Sequence, residues 1–527
     1  MSVTFYTGRK PALKPALLRA VTEALNADER SSVVVMVPEQ LTLDTERGLL
    51  EGLNLIGSFR LMVLSPKRLC DRIFDEAGRP ERVRIDDRGR ALLMGHVLRS
   101  LKKQLKWYAG ARDRRGFEMR VVEEVIRFKQ AGVDPDALLS LSEETGDGAL
   151  KWKMHDLSLL YAAYEEALAG RFQDGEDEIR EAMERLSSAS SLRDASVFAF
   201  GFDLTTPIWN DFVTRLAGFV RHAAVFLPLE NDGNARDFTL FGPLQASYER
   251  LLRAMNSAGI EWKRESLNEA GYAPNAAGFL AREVFCSPPE VYRAGNTSVQ
   301  LAALRNPMEE ARFAAALTRR LAMKNGWRYR DVMVLVGNTT EYMDALTAAF
   351  AEYEIPLFAA ESRPLDRHPL ARLLLETMRL LSGADADLST LLLTGYAAIT
   401  DDEGDRMLGY IARNGLRARE VLKPLRRGDA EMRAELEPIR QRLAEPMIEL
   451  NERLTGARTL SEQLTAIFAY LERLNAAEKG DAMRERLIAL GQRELAAEDA
   501  QVWNRVIGTL DQMNELLGDA RVSKEEL

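Results

Sequence analysis

The run Val33-Val34-Val35-Met36-Val37 limits the possible folds more than any other stretch. Apolar and β-branched residues without a polar alternation read as a strand of a parallel sheet. Ahead of it, Val3 to Tyr6 is a short apolar run, Thr7 to Leu13 a loop, and Lys14 to Asn26 a helix-like segment. Strand, loop, helix, strand is the opening βαβ unit of an α/β domain. The stretch from Gly8 to Lys14 has the length of a phosphate-binding loop, G-x-x-x-x-G-K-S/T, with Lys14 at the lysine position. Leu13 stands where the second glycine belongs, and its Cβ obstructs a close approach to phosphate. Pro15 stands where the hydroxyl residue belongs and removes a backbone donor. The outline of a nucleotide site is present without its chemistry. Gly8, Arg9 and Lys14, with the helix start, are left as an anion site or as solvated surface.

A chain of 527 residues is too long for one ordinary domain, so three or four folding units are expected. The formal charge of −9 excludes a surface coated in positive charge, so a nucleic acid would need a local patch or channel. Cys70 and Cys286 have neither pairing nor metal-ligand spacing, and four histidines make a histidine-rich metal site improbable. Two lone cysteines suit a reducing cytosol. No signal peptide opens the chain and no apolar run reaches membrane-spanning length, which predicts a cytoplasmic protein with no membrane partner.

After Val37 comes Pro38-Glu39-Gln40-Leu41-Thr42, then a helical pattern from Asp44 to Leu53. A second strand, turn and helix follow at Leu61 to Leu64, Ser65-Pro66 and Lys67 to Ala77. Glu39, Gln40, Thr42, Ser65 and Arg68 thus fall at the carboxyl ends of parallel strands, where α/β sheets place ligands. Helix capping is an equal account of Thr42 and Ser65.

From about 86 to 189 amphipathic helical patterns replace the strands, as in Ala91 to Leu105, Phe117 to Phe128 and Trp152 to Leu168. Within this helical insertion, Arg99, Lys102, Lys103, Lys106, Arg112, Arg114 and Arg115 face the single acid Asp113, with Trp107 and Tyr108 among them. Basic residues interleaved with aromatics suit a single-stranded nucleic acid, phosphates on the cations and bases on the rings. A solvated helix face is the competing account.

Strands return at Ser196 to Phe200 and Val225 to Leu229, separated by the helix-like Pro207 to Leu216. In a nucleotide motor such a strand ends in Asp-Glu to hold Mg²⁺; this one ends in Phe200-Gly201, with Asp203 three residues later. Residues 230 to 296 are mixed. A second α/β pattern follows: strands at Val299 to Leu304, Val332 to Val336 and Ile355 to Phe358, with helices between. From His368 the chain is again helical. Its last residues, Ser523-Lys524-Glu525-Glu526, have the form of a capping box and predict a helix, and therefore a longer protein, beyond Leu527.

Two parallel-sheet α/β domains, each with a large helical insertion, is the architecture of superfamily 1 helicases. The residues resemble more narrowly the AddB family, the B subunits of bacterial AddAB ATP-dependent helicase–nucleases. The resemblance rests on Gly8-Arg9 with Lys14, Val37-Pro38-Glu39-Gln40-Leu41-Thr42, Ser65 with Arg68-Leu69, Leu150 to Phe172, Gly201-Phe202 and Thr206-Pro207. It continues through Asn306-Pro307-Met308-Glu309-Glu310, Tyr329-Arg330-Asp331-Val332, Ile355-Pro356, His368-Pro369 and Leu393-Thr394-Gly395. It implies a first RecA-like, P-loop-type domain over 1–85 and 190–295 with an insertion over 86–189. It implies the first part of a second RecA-like domain over 296–367 with a truncated insertion over 368–527. It also implies a subunit that threads single-stranded DNA during double-strand-break processing and scans it for the hotspot sequence Chi, beside an AddA-type subunit that supplies translocation. It implies double-stranded DNA as the substrate of the complex. Gln40, Thr42, Arg68 and Phe202 match positions on the DNA channel, and Lys102, Lys103, Arg114 and Arg115 join them as a basic patch. Pro66 and Asp71 depart from the family, each standing where an aromatic is expected. The family's Mg²⁺-dependent nuclease part and its 4Fe–4S cluster would lie beyond residue 527, so no catalytic residue, metal ligand or cofactor is expected here.

A motor would also place an arginine after Val334-Leu335-Val336, where Gly337 stands. Loop, acid and arginine are all missing, so this chain is expected not to hydrolyse ATP. A self-sufficient DNA-dependent ATPase and a protein-docking scaffold that touches no DNA are the competing readings.

Overall fold

A computed structural model describes residues 2–111, 114, 116–146, 148–229, 241–267, 273–295, 298–358, 364–524 and 526–527. It separates into two compact units, Met1–Ala294 with Asp511–Gly518, and Gly295–Leu510 with Asp519–Leu527. The strands are β1 (Ser2–Thr7), β2 (Val33–Met36), β3 (Leu61–Leu64), β4 (Val83–Arg84), β5 (Phe172–Gln173), β6 (Ser196–Ala199), β7 (His222–Leu227) and β8 (Glu261–Ser266). Six of them form one sheet in the order β3-β2-β6-β7-β1-β8, and every pair is parallel.

The valine run is apolar throughout because both faces of β2 are covered. Val34 and Met36 pack with Val3, Phe5, Val197 and Val225 on the face shared with helices Pro66–Ala77, Pro207–Ala217 and Gly242–Ser257. Val33, Val35 and Val37 point the other way, with Val63, Phe198 and Phe226, against Leu13, Leu17 and Val21 of the helix Lys10–Ala27. At about 1.5–3 kcal/mol for each fully buried aliphatic side chain, this two-sided packing dominates the stability of the unit. It also explains why Leu13 cannot be a loop residue: it is buried in that second core.

β7 runs His222–Leu227 where Val225 to Leu229 is expected, and two further elements of this unit depart more from the sequence reading. The first helix starts at Lys10, four residues earlier than expected, so Lys14 lies inside it. The mixed region contains β8, whose polar sequence Glu-Trp-Lys-Arg-Glu-Ser carries no apolar alternation. It joins as an edge strand. Trp262 meets Phe5 edge-on at 6.2 Å between ring centres. The Arg264 guanidinium lies 5.5 Å over Tyr248 and donates to Thr7 Oγ1 at 3.0 Å.

The helices Asp87–Ser100, Phe117–Ala131, Pro135–Glu144, Gly148–Leu168 and Gly175–Arg185 lie between β3 and β6 in the chain, with β4 and β5 paired beside them. Lys129 ties three of these helices together. Its side chain is 0% exposed and its ammonium reaches Asp174 at 2.7 Å, Asp177 at 2.8 Å and Glu165 at 2.9 Å. Burial opposes the Lys129 charge, but the three carboxylates outweigh it and raise its pKa. Burial likewise opposes the Asp174 charge, yet Lys129 and the N–H of Asp177 hold its pKa down. Glu165 shifts upward, because there burial outweighs the pull of Lys129.

In the second unit the helices Pro307–Asn325 and Thr339–Glu352 pack through Ala311, Ala315, Leu346, Ala349 and Phe350. The three segments expected as strands, 299–304, 332–336 and 355–358, form no ladder among the described residues. Val334, Val336 and Leu357 pack onto the helices, whereas Met333 and Leu335 turn outward, 87% and 89% exposed. The period of two is there without paired backbones. All described strands therefore belong to the first unit, and α/β describes that unit. Residues 369–517 are helical with short connections, from Pro369–Ser382 to Arg493–Leu517.

Removing the Lys129 charge leaves buried carboxylates uncompensated, so Lys129→Met is expected to lose about 3–5 kcal/mol in urea denaturation. The Asp174 contribution is complete above the ordinary aspartate pKa near 4 and is lost as pH falls through its lower folded value, so acid should erase part of the difference between wild type and Lys129→Met.

Candidate nucleic-acid interface

The order β3-β2-β6 places the loops after these strands side by side at the carboxyl edge of the sheet. After β2 the chain turns at Pro38 into a single helical turn, Glu39–Leu41, and then the helix Thr42–Gly52. Gln40 is exposed at this turn. The Thr42 hydroxyl donates to Glu39 O at 2.9 Å, so Thr42 fastens the turn. After β3, Ser65 caps the helix Pro66–Ala77, accepting from Arg68 N, while the exposed Arg68 side chain reaches Glu39 at 3.5 Å. Both partners are more than half exposed, which limits such a pair to about 0–1 kcal/mol. Arg68 is thus held at the edge only weakly.

After β6, Gly201 adopts φ +83° and lets the loop turn closely beneath Leu41. A Cβ there would stand 2.8 Å from Leu41 Cδ1 and 3.3 Å from Pro38 Cδ. Phe202 does not project as a free ring. It is half-buried, its ring 5.0 Å from that of Trp209, and it packs against the core below the sheet. Gln40 and Arg68 form an exposed polar edge, with the half-buried Thr42 fastening its turn and Phe202 as its apolar support.

The phosphate-loop residues are arranged differently from the sequence reading. Only Gly8 and Arg9 separate β1 from the helix Lys10–Ala27, and Pro11 removes one of the N–H groups a phosphate would use. Gly8 is needed for another reason: a Cβ there would stand 2.9 Å from Leu267 Cβ, just past β8. Lys14 reaches toward the helix Thr42–Gly52, 3.9 Å from Asp44. Asp203, in place of a metal-binding acid, pairs with Lys10 at 2.8 Å. Arg9 lines a cleft of about 390 Å³ with Pro274, Asn275, Phe279, Arg282 and Tyr292.

The basic segment runs between the helices Asp87–Ser100 and Phe117–Ala131. Lys102, Lys103, Lys106 and Arg114 are exposed; Arg112, Asp113 and Arg115 lie outside the described residues. The Lys106 ammonium stands 3.6 Å from the centre of the Trp152 ring. Tyr108 tilts against Phe117 at 5.2 Å. Sequence patterning missed Glu39 as the partner of Arg68 and Lys10 as the partner of Asp203, since each pair is assembled only by the sheet order.

Cys70 is buried in the core below the sheet, and the Cys286 thiol donates to Arg282 O at 3.2 Å. Among the described residues no three His, Cys, Asp or Glu side chains gather as metal ligands.

A six-stranded, wholly parallel sheet with loops gathered at its carboxyl edge, and only two residues between β1 and the first helix, defines an α/β unit. Residues 5–279 match the family described as ADDB, N-terminal, and the chain belongs to that family. Its relatives include the B subunit of the ATP-dependent helicase/deoxyribonuclease of Alkaliphilus metalliredigens, 26% identical over 552 residues, covering 100% of this chain and 48% of the relative. The proteins of the same name from Desulforudis audaxviator, 29% identical, and Bacillus mycoides, 26% identical, cover 100% and 99% of this chain and 48% of each relative. The chain spans about half the length of the curated relatives it matches.

Two outcomes follow from this geometry. Gly201→Ala combines a left-handed backbone, about 1–2 kcal/mol for an L-residue, with the Leu41 clash, and should lower the thermal midpoint measured by circular dichroism. Isothermal titration of the chain with ATP and Mg²⁺ should give no micromolar binding, because the turn is too short to cradle a phosphate chain.

Proposed function

We propose that this chain is the N-terminal portion of a helicase–nuclease component of the AddB type, acting as a non-motor element that guides single-stranded DNA. The observation that carries the proposal is the carboxyl edge itself: Gln40 and Arg68 are exposed, with the half-buried Thr42 fastening the turn between them, where parallel sheets place ligands, while the turn after β1 is only two residues long. Family membership and the names of the relatives support the same reading.

In this proposal Arg68 exchanges Glu39 for a backbone phosphate, and Gln40 offers an amide that can donate to or accept from a base edge. Lys103, Lys106 and Arg114, with Lys102 beside them, neutralise phosphates along the helical part of the same unit. A partner subunit of the AddA type supplies ATP-driven movement, and the complex processes double-stranded ends for recombinational repair, with Chi read along the threaded strand. A nuclease part with its Mg²⁺ and 4Fe–4S cluster belongs, in this reading, to the portion of the protein outside these 527 residues. The setting is the cytoplasm. Among the described residues no helix is long and apolar enough to cross a membrane, which is compatible with that setting.

Fluorescence anisotropy with a labelled oligothymidylate tests this directly. Binding should fall with salt, the log–log slope being about −0.7 for each phosphate neutralised. The triple variant Lys102→Glu, Lys103→Glu, Arg114→Glu should weaken binding and flatten that slope by about 2. Salt-independent or absent binding would instead favour a scaffold that touches no DNA.

A further inference from the structure

Asp156, on the helix Gly148–Leu168, is 0% exposed, and its carboxylate is spent on the basic segment. One oxygen, Oδ2, accepts from the backbone N–H groups of Lys106 at 3.0 Å, Trp107 at 2.7 Å and Tyr108 at 3.0 Å; Lys106 N also reaches Oδ1 at 3.1 Å. Three successive amides converging on one oxygen form the concave donor set that ordinarily receives an anion, and charge-assisted bonds of this kind are about twice as strong as neutral ones.

The surroundings add to the same restraint. His155 Nδ1 stands 3.5 Å from Asp156 Oδ1. Trp152, one turn earlier on the helix, receives the Lys106 ammonium over its ring. Leu105 is buried immediately before the three amides, and Tyr108, which bears the third of them, is anchored on Phe117. Between these anchors the Trp107 ring is left 50% exposed. A large aromatic in water on an irregular segment would normally fold back. Here the backbone on both sides is fixed, so the ring stays presented among exposed cations.

We propose that Asp156 is a positioning residue for single-stranded nucleic acid: its buried carboxylate locks the amides of 106–108 and so presents Trp107 as a stacking platform for a base, with Lys103 and Lys106 beside it for the flanking phosphates. The inference rests on the nucleic-acid reading above and adds to it the residue that stacks and the residue that holds it. A platform of this kind accepts any base, because every base has a π-face.

The test uses the whole chain as wild type, Trp107→Ala, Asp156→Asn and the double variant, with labelled oligothymidylate as the probe. A parallel set carries 5-fluorotryptophan, the Trp107 resonance being assigned through Trp107→Phe. Trp107→Ala and Asp156→Asn are each expected to weaken binding about tenfold, and the double variant to be no weaker than either single one. The fluorine resonance of Trp107 should sharpen in Asp156→Asn as the ring gains freedom, while Trp209, Trp262, Trp327 and Trp503, which lie outside this contact, keep theirs. Binding by Asp156→Asn equal to wild type, losses that multiply to about a hundredfold as for independent sites, or an unchanged Trp107 resonance would each overturn the proposal. Should Asp156→Asn fail to fold, Trp107→Ala decides alone, since its exposed ring is not needed for folding: wild-type affinity overturns the platform. If the wild-type chain binds no oligonucleotide, the nucleic-acid reading itself fails and the role of Trp107 falls with it, whereas binding that ignores Asp156 defeats this inference only.

Discussion

A parallel sheet covered on both faces leaves its functional groups very little room. Every side chain of β2 is committed to one core or the other, Val34 and Met36 to one face and Val33 and Val35 to the opposite one. Chemistry can appear only where the strands stop. The loops after β2, β3 and β6 are adjacent because of the strand order, and a glycine at 201 and a threonine at 42 let them close on one another. Gln40 and Arg68, 28 positions apart in the chain, therefore share an edge.

The same packing decides what the first turn cannot do. Leu13 is buried against the sheet, and that burial fixes the helix Lys10–Ala27 in a position which begins two residues after β1. A phosphate loop needs a longer, glycine-rich excursion at this point. Lys10, Asp203, Lys14 and Asp44 are engaged as surface ion pairs across the place where a nucleotide and its metal would sit. The departure from a phosphate-loop geometry thus lies in the position of the helix and not only in two substituted residues.

Much of this was legible in advance, and for a plain reason: apolar runs report directly on burial. β1, β2, β3, β6 and β7 all announce themselves in this way, as do the long amphipathic helices between β3 and β6. Three things were not legible. The helix start at Lys10 was hidden by the outline of a phosphate loop, whose spacing drew attention to Lys14 and away from Leu13 as a core residue. β8 was hidden because an edge strand beside β1 can be polar, its packing being carried by Trp262 and Arg264 alone. The segments 332–336 and 355–358 have strand periodicity, but pairing is a long-range property that no local pattern contains.

Within the candidate site the divide is similar. The exposed residues Gln40 and Arg68 could be placed because strand ends can be read from the runs before them. Phe202 could not, since only the tertiary structure sets it against Trp209. Lys129 and Asp156 gave no signal at all: Lys129 meets Asp174 across 45 positions and Asp156 meets Lys106 across 50. A charged residue inside an amphipathic helix reads as surface until its partners are known.

The central claim is that the carboxyl edge of the sheet and the basic segment of the first unit both carry single-stranded DNA. Photo-crosslinking with oligothymidylate containing 4-thiothymidine, followed by peptide mapping, tests it most directly. The account predicts adducts on the peptides bearing Gln40 to Arg68 and Lys102 to Arg114. Adducts confined to residues 295–510, or none at all under conditions where the oligonucleotide is bound, would contradict it.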